Sequence, residues 1–331
     1  MSPVAPGASG DGLLIAPAAP IVAVEHLAKR FGTIEAVRDV SFAVAPGEVF
    51  GLAGPDGAGK TTTMRILAGI MAPDGGSAVV AGIDVLRRPE AAKGQIGYLS
   101  QAFSMYSDLT VAENVAFFGD LYEVPRNTLA ERREMLLRMT GLEPFQRRLA
   151  EHLSGGMRQK LALCCTLIHR PRVLLLDEPT TGVDPASRRD FWRLLLRFTR
   201  EGVTLVVSTP YMDEVSRCDR VGLMYAGSVL ALDTPDSLPA TAGPVVEITS
   251  DHPLELQASL RQRSDVWAAE VFGGGLHVYP RPDGPDARLL AETLRRSESA
   301  VGHVEVVRPG LEDAFIVALL GAGPDGGSHA S

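Results

Sequence analysis

Short runs of consecutive apolar residues, separated by longer amphipathic segments, are the main pattern along the first part of the chain. Runs of this kind predict strands that are buried on both faces. They occur at Glu48–Ala53, Val173–Leu176, Leu205–Val207 and Val221–Met224. Because such strands alternate with segments of helical spacing, the pattern predicts an α/β fold with a mostly parallel sheet and helices on both faces.

The segment at residues 98–168 has a different pattern. It consists of long helix-favouring stretches, separated by breaks at Pro125, Gly141 and Pro144. We therefore predict a helical insertion at residues 98–168, within a first domain that covers residues 21–240. Before this insertion, a helix is predicted at Thr61–Ile70, and further strands are predicted at Ile21–Leu27, Val40–Val44 and Val79–Ala81.

A second unit is predicted from the order of elements after Pro244. Strand and helix patterns follow one another as strand, helix, strand, strand, helix, strand, and a final helix is predicted at Leu311–Leu320. This βαββαβ order is typical of a small ferredoxin-like α+β domain, which we place at residues 244–320. The end segments 1–20 and 321–331 are rich in small residues, and we predict that both are disordered tails.

Composition narrows the class of protein. The chain has 331 residues, of which 45% are hydrophobic, and a net charge of −8. Nucleic-acid-binding proteins typically carry a basic face, so this acidic chain is not expected to bind nucleic acid. No run of about 18 or more apolar residues occurs, so no membrane-spanning helix is predicted. Only four residues are lysines, and one of them, Lys60, lies in a glycine-rich segment.

This glycine-rich segment matches the phosphate-binding pattern G-x-x-x-x-G-K-[ST] and lies between a predicted strand and a predicted helix. Its glycines let backbone N–H groups turn toward an anion, and the helix N-terminus adds a partial positive charge. Lys60 is predicted to contact the β- and γ-phosphates, and Thr61 to offer its hydroxyl to Mg²⁺. The residues predicted to bind the nucleotide are Gly54, Pro55, Asp56, Gly57, Ala58, Gly59, Lys60, Thr61 and Thr62.

Two adjacent carboxylates follow the apolar run Val173–Leu176. Asp177 lies where a buried strand ends, and we predict that it holds Mg²⁺ through a bound water. Glu178 comes one residue later and is predicted to polarise the water that attacks the γ-phosphate. The two positions therefore supply a metal ligand and a general base beside the phosphate loop.

Five separated motifs resemble those of the ATP-hydrolysing subunits of ABC transporters. They are the phosphate loop, Gln101, the signature Leu153–Gln159 (LSGGMRQ), the pair Asp177–Glu178, and Gly182–Asp184. The resemblance covers residues 22–232 and implies an ABC ATPase domain with a P-loop NTPase-like fold that uses ATP and Mg²⁺.

The resemblance also implies roles for single residues. Phe31 is similar to an aromatic that stacks on adenine, and Gln101 is similar to a glutamine that senses Mg²⁺ and faces the membrane partner. Two such domains enclose two ATP molecules in this family, and Ser154, Gly155 and Gly156 would close on the γ-phosphate held by the other subunit, with Asp184 at the seam. The catalytic residues are then Glu178, Gln101 and Lys60, and the metal-binding residues are Thr61, Gln101 and Asp177.

The sequence Pro309–Phe315 (PGLEDAF) resembles the ending of drug- and polysaccharide-exporter motors. This likeness implies a motor subunit at the cytoplasmic face of the cell membrane, bound to separate transmembrane permease subunits. We predict that the apolar segment Ala102–Tyr106, next to Gln101, receives a helix of that partner.

One position departs from the family pattern. Pro210 occupies the place of a histidine that normally contacts the γ-phosphate, and proline supplies neither a side-chain donor nor an N–H. Slow hydrolysis is therefore predicted, unless the hydroxyl of Thr209 or Tyr211 takes over. The chain then forms a homodimer that tolerates the loss, or it is a degenerate clamp that pairs with a second, complete ATPase subunit.

Overall fold

The computed structural model describes residues 19–101, 105–297 and 302–322. The predicted tails lie outside the described residues except at positions 19–20 and 321–322. The strands are β1 (Val22–Phe31), β2 (Ile34–Val44), β3 (Val49–Ala53), β4 (Gly75–Val80), β5 (Ile83–Asp84), β6 (Ile96–Leu99), β7 (Val173–Asp177), β8 (Thr204–Thr209), β9 (Arg220–Tyr225), β10 (Ser228–Asp233), β11 (Val245–Thr249), β12 (Val266–Phe272), β13 (Gly275–Pro280) and β14 (Val304–Val307). The helices are α1 (Lys60–Leu67), α2 (Pro89–Lys93), α3 (Val111–Leu121), α4 (Arg126–Thr140), α5 (Gly155–Leu167), α6 (Pro185–Arg200), α7 (Met212–Val215), α8 (Pro253–Leu260), α9 (Ala287–Ser297) and α10 (Leu311–Gly321).

The central sheet has six strands in the order β10-β9-β3-β8-β7-β6. Neighbouring strands are parallel except β10, which runs antiparallel to β9. Every residue of β3 and β7 is buried, as expected for strands that are covered on both faces. The predicted α/β class with a mostly parallel sheet is therefore confirmed.

The strands near the N-terminus form a sheet of their own, antiparallel and ordered β2-β1-β4-β5. This sheet and α1 pack on one face of the central sheet, where Phe50, Leu52 and Leu175 point. Helices α3 to α6 cover the other face, where Leu174 and Leu176 point. Helices therefore lie on both faces, as predicted, and on one of these faces the antiparallel sheet packs beside α1.

The helical insertion contains α3, α4 and α5, which share a core with α6. Its predicted beginning at residue 98 was wrong, because Ile96–Leu99 form β6, parallel to β7. A strand of four residues leaves little periodicity in the sequence, so only its pairing with β7 defines it. Helix α3 begins at a capping box in which Thr110 and Glu113 satisfy each other's backbone N–H groups.

The C-terminal strands form a separate antiparallel sheet in the order β12-β13-β11-β14. Residues of α8 and α9 share a hydrophobic core with this sheet. Helix α10 contacts both parts of the chain. Its residues Ala314 and Phe315 pack against Leu223 of the central sheet, and its residues Ile316 and Val317 pack in the cluster that contains Val245, Ala268 and Tyr279.

Asp313 fixes the beginning of α10. Its carboxylate accepts hydrogen bonds from His277 (2.7 Å), the Tyr279 hydroxyl (2.6 Å) and the Gly310 N–H (2.6 Å). The hydrogen bond to Asp313 raises the pKa of His277. Burial raises the pKa of Asp313, but the hydrogen bonds from His277 and Tyr279 outweigh it, so this pKa lies below its usual value.

These two shifts make the stability of the C-terminal unit depend on pH. Because the pKa of folded His277 is raised, its stabilisation is complete below the unfolded value of about 6.5 and falls as pH rises through the folded value. We expect His277→Gln to lower the melting temperature more at pH 5.5 than at pH 9. Thermal unfolding at both pH values measures this, with the exposed His303→Gln as control. An equal loss at both pH values would contradict the role of the ion pair.

Candidate functional site

The phosphate loop lies where the predicted motif placed it, between the end of β3 and the N-terminus of α1. Gly57 and Gly59 have φ values of 78° and 103°, which favour glycine. A Cβ atom on Gly54 would lie 2.0 Å from the carbonyl oxygen of Met224. Glycine is therefore required by backbone conformation at two positions and by close packing at a third.

Lys60 is buried at the first position of α1. Its ammonium donates to the carbonyl oxygens of Gly54 (2.8 Å) and Pro55 (2.9 Å). It also lies 3.1 Å from Oε1 of Glu178, and both side chains are less than a tenth exposed. The fold thus joins the phosphate loop to the acidic end of β7 through one buried ion pair.

Asp177 ends β7 beside the beginning of α1. Its Oδ1 accepts hydrogen bonds from the hydroxyls of Thr61 (3.0 Å) and Ser208 (2.7 Å). Ser208 also accepts the N–H of Glu178 at 3.0 Å, so it orients both acidic residues. Ser208 was not among the predicted site residues, although its place near the end of β8, a predicted buried strand, was a usable signal.

Tyr98 is a second residue that the sequence analysis missed. Its hydroxyl donates to Oδ2 of Asp177 at 3.3 Å. Burial, together with the negative charge of Asp177, raises the pKa of Tyr98 to about 12, so the phenol stays protonated and remains a donor. Tyr98 was predicted to lie in the helical insertion, so its place in the site was not expected. It lies beside β7 because it belongs to strand β6, which pairs with β7.

Gln101 and Glu178 meet in an open cleft of about 940 Å³. The Gln101 amide donates to Oε2 of Glu178 at 3.0 Å. Phe31 also lines this cleft and is 47% exposed. The other predicted residues along its wall are Asp56, Gly57, Ala58, Gly59, Lys60, Thr61 and Thr62, while Gly54, Pro55 and Asp177 lie outside its lining.

The signature residues do not line this cleft. Ser154 caps the N-terminus of α5 by accepting the N–H of Met157, and Gly155 and Gly156 begin the helix. Gly156 lies close to α6, since a Cβ atom there would be 2.7 Å from Oγ of Ser187. Ser154 and Gly155 are exposed, so this helix end is accessible to a second molecule.

The departure from the family pattern, Pro210, lies at this cleft. Pro210 and Tyr211 both line the cleft. Thr209 is buried, and its hydroxyl donates to Oε2 of Glu214 at 2.7 Å. Pro210 therefore lies in the wall of the same cleft as Lys60 and Glu178.

A phosphate loop at a strand–helix turn, with two carboxylates at the end of a neighbouring parallel strand, defines a P-loop nucleotide-binding protein. Residues 37–181 match the family model described as ABC transporter. The chain belongs to the ABC transporter ATP-binding family, whose cassettes hydrolyse ATP to power transport. The resemblance seen in the sequence is thereby confirmed.

Three relatives illustrate the similarity. The chain is 41% identical over 68% of its length to the "Probable multidrug ABC transporter ATP-binding protein YbhF" of Escherichia coli, and it spans 39% of that relative. It is 35% identical to the "Nod factor export ATP-binding protein I" of Ralstonia nicotianae, covering 90% of this chain and 93% of that one. It is 34% identical to the "Doxorubicin resistance ATP-binding protein DrrA" of Mycobacterium tuberculosis, covering 89% and 92%.

Solved structures show the same cassette fold. A protein of Clostridium perfringens, cbiO1, which is part of the ABC transporter complex cbiONQ, aligns with a TM-score of 0.62 and 27% identity over 67% of this chain and 91% of its own. A dimeric, post-hydrolysis cassette bound to ADP and Pi aligns with a TM-score of 0.59 and 25% identity over 64% and 98%. Within the described residues, no helix is both long and apolar enough to cross a membrane.

Proposed function

We propose that this chain is the ATP-hydrolysing motor subunit of an exporter and works with separate transmembrane subunits at the cytoplasmic face of a membrane. The observation that carries this proposal is the meeting of three groups from distant parts of the chain. Glu178 contacts Lys60 at 3.1 Å and Gln101 at 3.0 Å in a single cleft. The relatives named for multidrug, Nod factor and doxorubicin proteins support an exporter.

ATP binding at this site is an exchange of partners for Lys60. In the structure, the Lys60 ammonium contacts Glu178 and two loop carbonyls. The β- and γ-phosphates carry more negative charge than one carboxylate and accept from Lys60 in its place. The N-terminus of α1 completes the anion site. Phe31, which is nearly half exposed in the cleft, then stacks on adenine.

The oxygen donors beside the loop fit Mg²⁺. The Thr61 hydroxyl and the Asp177 carboxylate lie 3.0 Å apart, and Mg²⁺ prefers oxygen ligands, several of them water or phosphate. No group of three or more His, Cys, Asp or Glu side chains within the described ranges could hold a metal alone, so the nucleotide would complete the coordination. Thr61, Gln101 and, through water, Asp177 would hold the ion, which would supply positive charge beside the phosphate oxygens.

Hydrolysis requires that Glu178 is released from its ion pair with Lys60. Once Lys60 turns to the phosphates, the Glu178 carboxylate can accept a hydrogen bond from water and orient it toward the γ-phosphorus. Gln101 donates to the same carboxylate and limits its orientation. Phosphate release by the full-length chain, measured with ATP and Mg²⁺, tests this proposal. ATP binding without phosphate release would contradict it.

A second ATPase subunit would complete the site. The N-terminus of α5, with Ser154, Gly155 and Gly156, presents exposed N–H groups outside the chain's own cleft. Such a helix end favours an anion, here the γ-phosphate bound to the other subunit. Asp184 caps α6 and is exposed, as a seam residue would be. The dimeric structure bound to ADP and Pi supports this arrangement.

The permease is expected to bind an apolar surface next to Gln101. Of the predicted segment, Ala102, Phe103 and Ser104 lie outside the described residues. Tyr106 and Phe117 make an edge-to-face pair at 4.5 Å and are both exposed, and Leu121 on the same helix is 61% exposed. Buried Asn114 holds the loop by bonding both the N–H and the carbonyl of Tyr106.

We therefore expect a cysteine at Leu121 to crosslink to a cytoplasmic helix of the membrane subunit in the assembled complex, because an apolar helix face can pack on this exposed apolar surface. Leu289 on α9 is 54% exposed and provides a matched cysteine control. Crosslinking yield on a denaturing gel is the measurement. Equal yields at both positions, or labelling of Leu121→Cys by a water-soluble reagent alone, would contradict the docking site.

A further inference from the structure

The position of Pro210 leaves the family's γ-phosphate donor to be supplied by another group. Proline offers the cleft no hydrogen-bond donor. Thr209 and Tyr211, on either side of it, both carry a hydroxyl. Their surroundings differ, and this difference decides which of them can face a nucleotide.

The Thr209 hydroxyl is already engaged. Thr209 is 1% exposed and does not line the cleft. Its Oγ1 donates to Oε2 of Glu214 at 2.7 Å and accepts the N–H of Tyr211 at 3.1 Å. Since its single proton is given to a buried carboxylate, Thr209 anchors the backbone of this segment and has no donor left for a phosphate.

Tyr211, in contrast, is one of the residues that line the cleft, and its ring is held by a contact with α6. The guanidinium of Arg188 lies 4.1 Å from the centre of the ring, a cation–π contact. Arg188 donates to Oε1 of Glu214 at 3.1 Å and to Oδ1 of Asp213 at 3.1 Å. Glu214 is 1% exposed and also accepts from the Thr180 hydroxyl at 2.6 Å. A largely buried network thus fixes the ring.

The phenol of Tyr211 remains available. Within the described ranges, its hydroxyl makes no hydrogen bond, although the backbone and the ring are both anchored. Tyr211 shares the wall of the cleft with Lys60 and Glu178. Tyr211 thus combines a fixed ring and an unused donor in the same cleft as Lys60 and Glu178. A donor that is held in place before the reaction can stabilise charge that develops in the transition state.

We propose that the Tyr211 hydroxyl donates a hydrogen bond to the γ-phosphate of ATP, in place of the donor that Pro210 cannot supply, and that Arg188 is its positioning residue. This inference rests on the proposed ATP hydrolysis. The water oxygen bonds to the γ-phosphorus, the bond from that phosphorus to the β–γ bridging oxygen breaks, and this oxygen leaves with ADP while Glu178 takes the water's proton. A donor held at the γ-oxygens stabilises the charge there in the transition state.

Tyr211→Phe tests the proposal, because it keeps the ring on Arg188 and removes only the hydroxyl. Loss of one preorganised donor is expected to lower kcat by about 10²-fold and to change the KM for ATP little. Adding Pro210→His to Tyr211→Phe should recover part of the lost kcat by restoring a donor. Arg188→Gln, with the phenol present but its ring less fixed, should give a smaller loss of kcat.

Phosphate release by the full-length variants and binding of a fluorescent ATP analogue are the two measurements. Tyr122→Phe, on the helical insertion and stacked on His169, is the matched control and should match wild type. A Tyr211→Phe variant with wild-type kcat would overturn this inference and leave the ATPase proposal intact. Absence of hydrolysis by the wild type would instead overturn the proposed function, and this inference with it.

Discussion

Glu178→Gln is expected to reduce steady-state ATP hydrolysis by about 10²- to 10⁴-fold, the range that a general base contributes. Glutamine keeps the size of the side chain and can still contact Gln101 and Thr181, but it has no basic oxygen for the water's proton. It also ends the ion pair with Lys60 at 3.1 Å. Affinity for ATP should therefore be unchanged or higher, because Lys60 no longer has to break an ion pair with residue 178 before it contacts the phosphates.

Phosphate release and equilibrium binding of ATP measure the two effects separately, and size-exclusion chromatography shows whether the variant collects as an ATP-bound dimer. Glu48→Gln is a suitable control, since Glu48 is a buried glutamate outside the cleft and is paired with Arg220 at 3.4 Å. Turnover by Glu178→Gln within threefold of wild type would exclude Glu178 as the base.

Lys60→Ala is expected to weaken ATP binding by at least an order of magnitude, about 1.4 kcal/mol or more. The ammonium is the buried cation that reaches from the loop toward the phosphates, and alanine removes it completely. The substitution has a second effect, because it leaves Glu178, 6% exposed, without its cation. Removing one partner of a buried pair is destabilising, so the melting temperature without ATP should also fall.

A double variant separates these two effects. In Lys60→Ala with Glu178→Gln, the uncompensated charge is gone, so thermal stability should return while ATP affinity stays low. Isothermal titration with ATP and thermal unfolding without ATP are the measurements, and Lys93→Ala on the exposed face of α2 is the control. If Lys60→Ala bound ATP as tightly as wild type, the assignment of this loop would be wrong.

The loop and the two carboxylates were predictable because their chemistry is local. The turn from β3 to α1 needs glycines at 57 and 59, which have positive φ, and the lysine and threonine follow at fixed distance along the chain. Asp177 and Glu178 are adjacent and follow an apolar run, so their place at the end of a buried strand was also visible. A sequence pattern within about ten residues therefore indicates both features, independently of how the rest of the chain packs.

The partners of these residues were not predictable in the same way. Tyr98 and Ser208 reach Asp177 because β6 and β8 lie on either side of β7. Strand order is set by how the whole chain packs, and four residues such as Ile96–Leu99 carry too little periodicity to reveal a strand. For the same reason, the sequence predicted the first strands but not their pairing, and their hydrogen bonds form a separate antiparallel sheet.

The sequence by itself determined the family, and it predicted the phosphate loop, Glu178 as the base and the lack of a side-chain donor at Pro210, since each rests on residue type at a fixed spacing. Tertiary structure alone decided which neighbour of Pro210 can act. Thr209 and Tyr211 are equivalent as hydroxyls in a sequence, but the Thr209 hydroxyl donates its hydrogen bond to the buried Glu214. Tyr211 lines the cleft, and its ring is held by Arg188, which lies 23 positions earlier in the chain. Burial and a long-range contact make that distinction, and neither is encoded in local spacing.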